Sequence, residues 1–127
     1  NVVFMPMQPK EKIPAVWSLC SVALVHLKDS PAFTEVIPSK IFEAMAMGLP
    51  ILLAAPDGEA RKIIDRHRAG IWVPPENPEA LADAAKIFLN DTELCTQLAA
   101  RSLAAAPHHS RITQAEEMIA VFKKALL

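Results

Sequence analysis

Ser39-Lys40-Ile41-Phe42-Glu43-Ala44-Met45-Ala46-Met47-Gly48-Leu49-Pro50-Ile51-Leu52-Leu53-Ala54-Ala55 holds the two patterns that decide how this chain folds. The first half reads as a helix. Pro38 and Ser39 mark its start, with Ser39 as the N-cap, and Gly48 followed by Pro50 marks its stop. The second half, Ile51–Ala55, is apolar without alternation. A strand with no polar face is covered on both sides, as in a parallel sheet. A helix leading into a buried strand is therefore the unit to seek on either side.

Three further apolar runs read as strands of the same kind: Val2–Met5, Val22–Leu27 and Ile71–Val73. Helical stretches over about Lys10–Leu19 and Glu59–Arg68 lie between them. The alternation predicts an α/β fold, a Rossmann-like parallel sheet flanked by helices with right-handed crossovers. After Val73 the pattern becomes all helix. Asn77-Pro78-Glu79 gives an N-cap, a proline at the first helical position and an acid in the first turn. Leu81, Ala84, Ala85 and Phe88 share one face of that helix. Asp91 or Thr92 opens the next, which runs to about Ala104, and Pro107 breaks it. Ser110 caps a last helix whose apolar face is Ile112, Ala115, Ile119, Phe122 and Leu126. No repeat or linker divides residues 1–127, so a single domain is expected.

Composition excludes several classes. The chain has 127 residues, 52% hydrophobic and 21% charged, enough to bury a core. A net charge of −1 argues against a nucleic-acid surface, which is normally basic. No apolar run approaches the roughly 18 residues of a membrane span. The 3 glycines, Gly48, Gly58 and Gly70, exclude a GxGxxG or Walker loop. No Asp-x-Asp pair is present to chelate a metal diphosphate, and no metal-ligand spacing is found. Cys20 and Cys95 stand alone, which reads as two core or half-buried thiols in a reducing compartment. The chain opens at Asn1 on an apparent strand, which is expected of a piece of a longer protein.

Glu43 is the only charge between Ile41 and Met47. A carboxylate on an apolar helix calls for a polar partner. An ion pair with Lys40, three residues before it, is one reading. Ligand binding is the other. The helix start offers free N–H groups and a positive dipole end, which suit a phosphate. An open α/β sheet binds ligands beyond the carboxyl ends of its strands. Here those ends lead into 26–35, 55–58 and 74–77, so the segment from Glu35 to Glu43 falls on the ligand side.

Glu35 and Glu43 match the E-x7-E signature of retaining glycosyltransferases of the GT-B fold, family 4, which this chain resembles. The segment Phe42-Glu43-Ala44-Met45-Ala46-Met47-Gly48-Leu49-Pro50-Ile51 is similar to that family's sequence around the second glutamate. Gln8–Trp17, Gly58-Glu59-Ala60, Ala69–Pro75 and Asn77–Leu81 follow the family's order. Val36-Ile37-Pro38-Ser39-Lys40 replaces the glycine-rich turn of many members. It resembles a subgroup acting on amino-sugars of bacterial cell-surface polysaccharides.

The resemblance implies the donor-binding, C-terminal part of a two-domain transferase, N-terminally truncated. It would be an enzyme only as part of the full-length protein. The implied donor is a nucleotide-diphosphate sugar, with UDP favoured, and the acceptor a saccharide or lipid-linked sugar. Glu43 would accept hydrogen bonds from the ribose hydroxyls, and Glu35 would act at the donor sugar as the catalytic carboxylate. Thr34, Val36, Ile37, Pro38, Ser39 and Lys40 would seat the sugar and diphosphate, and the turn Ser30–Thr34 would line the sugar pocket. No permanently bound cofactor and no metal are implied. The partners are the missing N-terminal domain and, at the cytoplasmic membrane face, a peripheral contact; nucleic acid is not among them. The alternatives are a non-catalytic nucleotide-sugar-binding domain and a GT-B UDP-N-acetylglucosamine epimerase. Glycoside hydrolysis also uses two carboxylates, but no hydrolase motif surrounds these two.

Other residues read more simply. His26 is a strand-end histidine on the ligand side. His108 and His109 lie in a solvated loop. His67 sits with Arg61, Lys62, Arg66 and Arg68 on a charged, solvated helix face, an anionic lipid headgroup being the alternative. Met5 and Met7 either edge the nucleotide pocket or fill the core, and Trp17 and Trp72 are core or subunit contacts.

Overall fold

Ile51, Leu52, Leu53 and Ala54 are all buried and form the middle strand of a three-stranded parallel sheet. The computed structural model describes residues 1–126. The sheet order is β1 (Ala23–His26), β2 (Ile51–Ala54), β3 (Gly70–Val73). Ala23 stands opposite Ile51, and Ile51 opposite Gly70. Helices α1 (Ile13–Trp17), α2 (Ser39–Ala46) and α3 (Glu59–His67) interleave with the strands, and α4 (Pro78–Asn90), α5 (Thr92–Ala105) and α6 (Arg111–Ala125) follow. This is the Rossmann-like α/β arrangement that the apolar runs predict.

The two faces of β2 explain the layers. Ile51 and Leu53 join Ala23 and Val25 against Ile41, Ala44 and Met45 of α2 and Ile63 and Ile64 of α3. Leu52 and Ala54 point the other way, with Val73, onto Ala84 and Phe88 of α4 and Leu98 of α5. Both crossover helices thus cover one face and α4 the other. Burying a Leu or Ile side chain contributes about 1.5–3 kcal/mol, so the uninterrupted apolar run is what sets the strand between two helical layers.

The boundaries follow local chemistry. Gly48, at φ +63°, turns the chain out of α2 in the left-handed region that glycine adopts without strain. Asn77 accepts from the Ala80 N–H, Asp91 from Leu94 and Ser110 from Thr113, so the three C-terminal helices carry the caps their sequences predict. Ser39 differs. The N-cap of α2 is Pro38, and Ser39 is its first helical residue. Its hydroxyl turns along the helix, donating to Glu43 Oε1 at 3.2 Å.

Four other expectations are corrected. Val2–Met5 forms no strand and lies exposed, Phe4 at 93%. Ordering such a run costs about 1–2 kcal/mol per residue. No helix covers it, and Pro6 and Pro9 remove ladder donors on its far side. The helix expected over Lys10–Leu19 contracts to a 3-10 turn, Lys10–Lys12, followed by α1; Pro14 fits the α1 start and tight turns at Leu19 and Cys20 end it. β1 alternates in burial, because Leu24 and His26 emerge on the side that α4 leaves open at the sheet edge. No residue of α6 is buried, so its apolar face, with Phe122 at 59% exposure, adds nothing to the core. Cys20 and Cys95 are half-buried free thiols. Among the described residues no helix is long and apolar enough to cross a membrane.

Candidate functional site

The loop after β1 carries the first half of the candidate site. Pro31–Phe33 winds into a 3-10 turn, and the Thr34 hydroxyl closes it by donating to the Pro31 carbonyl at 2.8 Å. The Thr34 carbonyl then accepts the Glu59 N–H at 2.8 Å, so this loop caps α3. Gly58 makes the approach possible, because a Cβ there would collide with the Thr34 carbonyl. The spacing between Glu35 and α3 is thus held by backbone atoms. Glu35 itself is exposed; the Lys62 ammonium is held above its ordinary pKa by the Glu59 hydrogen bond and charge first, with Glu35 a lesser contributor. Val36 and Ile37 are exposed too, each at 39%.

The second half is the start of α2. Asn77, Asp91 and Ser110 cap α4, α5 and α6, and Thr34 caps α3; α2 begins with no side-chain cap. The Ile41 N–H of its first turn is taken by the Pro38 carbonyl at 3.1 Å, and Ser39 and Lys40 before it are exposed. One turn on, Glu43 is held at both oxygens. Ser39 Oγ donates to Oε1 at 3.2 Å, and Trp17 Nε1 donates to Oε2 at 3.3 Å. Lys40 forms no ion pair with Glu43 among the described residues. Glu43 is nevertheless exposed, so the carboxylate expected on a buried helix face meets solvent as well as the indole and the hydroxyl.

Glu43 stands between two grooves. One, of about 350 Å³, is lined by Lys10, Ile13, Pro14, Trp17, Glu43, Ala46 and Met47. The other, of about 480 Å³, runs past Ile37, Ser39, Phe42 and Glu43 to His109, Arg111 and Gln114. A third and larger cleft, of about 620 Å³, opens at the carboxyl ends of β1 and β2. His26, Lys28, Phe33, Glu76 and Asn77 line it, and neither Glu35 nor Glu43 does. Its size alone does not make it the reacting centre. The Glu43 grooves have the oriented carboxylate and open helix start, and the large cleft supplies apolar walls on the same carboxyl side.

Sequence reasoning placed these loops on the ligand side, and Phe33 in the expected sugar turn. It missed Trp17 as the partner of Glu43, and it missed Glu76. Glu76 adopts φ +54° and its Oε1 accepts the Asp29 N–H at 3.3 Å, tying the third loop to the first. Only its place between Pro75 and Asn77-Pro78 hinted at an unusual turn. Trp72 is partly buried against the core, as expected. Its N–H donates to the Ala55 carbonyl at 2.8 Å, and the Arg61 guanidinium lies 3.8 Å over its ring. Met5 and Met7 are exposed rather than core-filling. His109 is half-buried and not solvated, stacked on Phe42 at 4.8 Å and 2.9 Å from His67 between Nε2 atoms. Among the described residues no three His, Cys, Asp or Glu side chains gather as a metal site.

Residues 1–103 match the family described as glycosyl transferases group 1. The D-inositol 3-phosphate glycosyltransferase of Mycobacteroides abscessus is 31% identical over 84 residues, 66% of this chain and 18% of that protein. The chain thus spans about a fifth of the length of this curated relative. No solved structure gives a significant match. The parallel sheet and the match over residues 1–103 agree, and the chain belongs to the group 1 glycosyl transferases.

Proposed function

We propose that residues 1–127 form a single nucleotide-sugar-binding domain, the donor half of a retaining glycosyltransferase with a UDP-sugar as donor. The observation that carries this reading is Glu43. Its two acceptor oxygens are pre-oriented by Ser39 and Trp17 one turn inside a helix start without a side-chain cap. Two adjacent carboxylate oxygens suit a vicinal diol, and a helix start with exposed Ser39 and Lys40 suits a diphosphate. In this reading Glu43 binds the ribose. Thr34, Val36, Ile37, Pro38, Ser39 and Lys40 seat the diphosphate and sugar. Glu35 meets the developing positive charge at the anomeric carbon.

The chemistry is positioning and charge stabilisation. The leaving diphosphate is met by first-turn N–H groups and the Lys40 ammonium, without a metal. The acceptor, a saccharide or lipid-linked sugar, belongs to sequence outside this chain, and transfer takes place at the cytoplasmic face of the membrane.

Calorimetric titration with UDP, GDP and ADP tests the reading. Binding of UDP, lost in Glu43→Ala, supports it. A nucleotide affinity unchanged by Glu43→Ala removes the ribose assignment, and selective binding of GDP or ADP replaces the UDP donor.

A further inference from the structure

α3 leaves the carboxyl end of β2 and delivers Arg66 and His67 to the opposite end of the sheet, where β3 begins. There Arg66, His67, Arg101, Ala104, Ala105 and His108 line an open cleft of about 260 Å³. No acidic side chain lines it. Asp65, the carboxylate next in sequence to Arg66, holds Arg61. Arg66 and Arg101 form no ion pair among the described residues. The helix-end carbonyls nearest to the cleft are also occupied, since Ile64 and Asp65 accept the N–H groups of Ala69 and Arg68. A helix C-terminus carries about half a negative charge, and two guanidinium groups outweigh it. His67 is held below its ordinary pKa by burial first, then by His108 and Arg66.

We propose that this cleft binds a phosphate group, gripped by the guanidinium groups of Arg66 and Arg101 with the imidazoles of His67 and His108 as further donors. Guanidinium forks fit phosphate oxygens two at a time. The site adjoins the Glu43 groove through His109, whose Nε2 lies 2.9 Å from His67 Nε2, but it uses none of the residues of the donor reading. A free phosphate ester and a phospholipid headgroup share this chemistry.

The test follows the His67 and His108 ring protons by NMR in the full chain while inorganic phosphate is added. In parallel, the chain is sedimented with phosphatidylglycerol or phosphatidylcholine vesicles. Phosphate should raise the His67 pKa towards its ordinary value. The double variant R66A/R101A, at two exposed positions, should weaken phosphate binding about tenfold or more. The charge-matched pair K123A/K124A should leave it unchanged. Vesicle binding that needs both phosphatidylglycerol and the two arginines identifies a headgroup; a response to phosphate alone identifies a soluble ester. No histidine response to phosphate, or an equal loss in the two double variants, overturns the proposal.

Discussion

The Thr34 carbonyl accepts the Glu59 N–H at 2.8 Å, directly above the α-carbon of Gly58. This one bond fastens the Glu35 loop to α3, and it exists because residue 58 has no side chain. Gly58→Ala would drive a methyl group into that carbonyl. Overpacking of this kind costs about 1–3 kcal/mol. Urea unfolding should show a lower midpoint with an unchanged slope, and the variant should bind nucleotide more weakly even where it is fully folded.

Trp17→Phe isolates the indole N–H from the ring's packing. It should leave the fold intact by circular dichroism. Freed of one partner, Glu43 loses part of its orientation, and nucleotide affinity should fall by about 0.5–1.5 kcal/mol in calorimetry. An unaltered affinity would mean that the 3.3 Å contact does not position the carboxylate.

The helix starts give a contrast in stability. Asn77→Ala removes a side-chain cap and should cost about 1 kcal/mol in thermal or urea unfolding. Ser39→Ala removes no cap and should cost measurably less, its effect appearing in nucleotide binding instead. Equal losses would restore Ser39 as a cap.

Ser102 is buried with a hydroxyl that meets no partner among the described residues. An unsatisfied buried hydroxyl costs about 1–3 kcal/mol, while alanine keeps the helix and the local packing. Ser102→Ala should therefore raise stability by about 1 kcal/mol. A clear fall in melting temperature would show that the hydroxyl has a partner after all.

The His67–His109 contact makes stability depend on pH. Both groups lie below the ordinary 6.5. For His67 the causes are burial, then His108 and Arg66; for His109 they are burial, then His67, His108 and Arg66. Between the ordinary and the lowered values the unfolded chain binds more protons than the folded one. Stability should thus be full above about pH 6.5, fall as pH drops through the native values, and level off below them. Urea unfolding in a pH series checks this. His109→Phe, which keeps a ring on Phe42, should flatten the slope.

Much of this was legible because it depends on neighbours in sequence. The buried strand Ile51–Ala54, the Gly48 turn and the caps at Asn77, Asp91 and Ser110 are local decisions, settled by side-chain type and spacing. Trp17 and Glu43, 26 residues apart, meet only through the packing of α1 beside α2. No local pattern announces such a pair. Val2–Met5 shows the converse. Its residues favour a strand, yet a strand also needs an edge and a cover, which propensity does not supply. His109 read as a loop histidine because its partners, Phe42 and His67, are brought to it by two different crossover helices.

The pairing of Arg61 with Asp57 and Asp65, and of Lys62 with Glu59, has an electrical consequence. Three carboxylates meet two cations in these pairs, so they carry a net negative charge, and the unpaired positive charge of α3 lies at its far end, at Arg66 and Arg68. A chain of net charge −1 is therefore polarised along this helix. Near an anionic surface this helix would feel a torque turning its Arg66 and Arg68 end towards that surface.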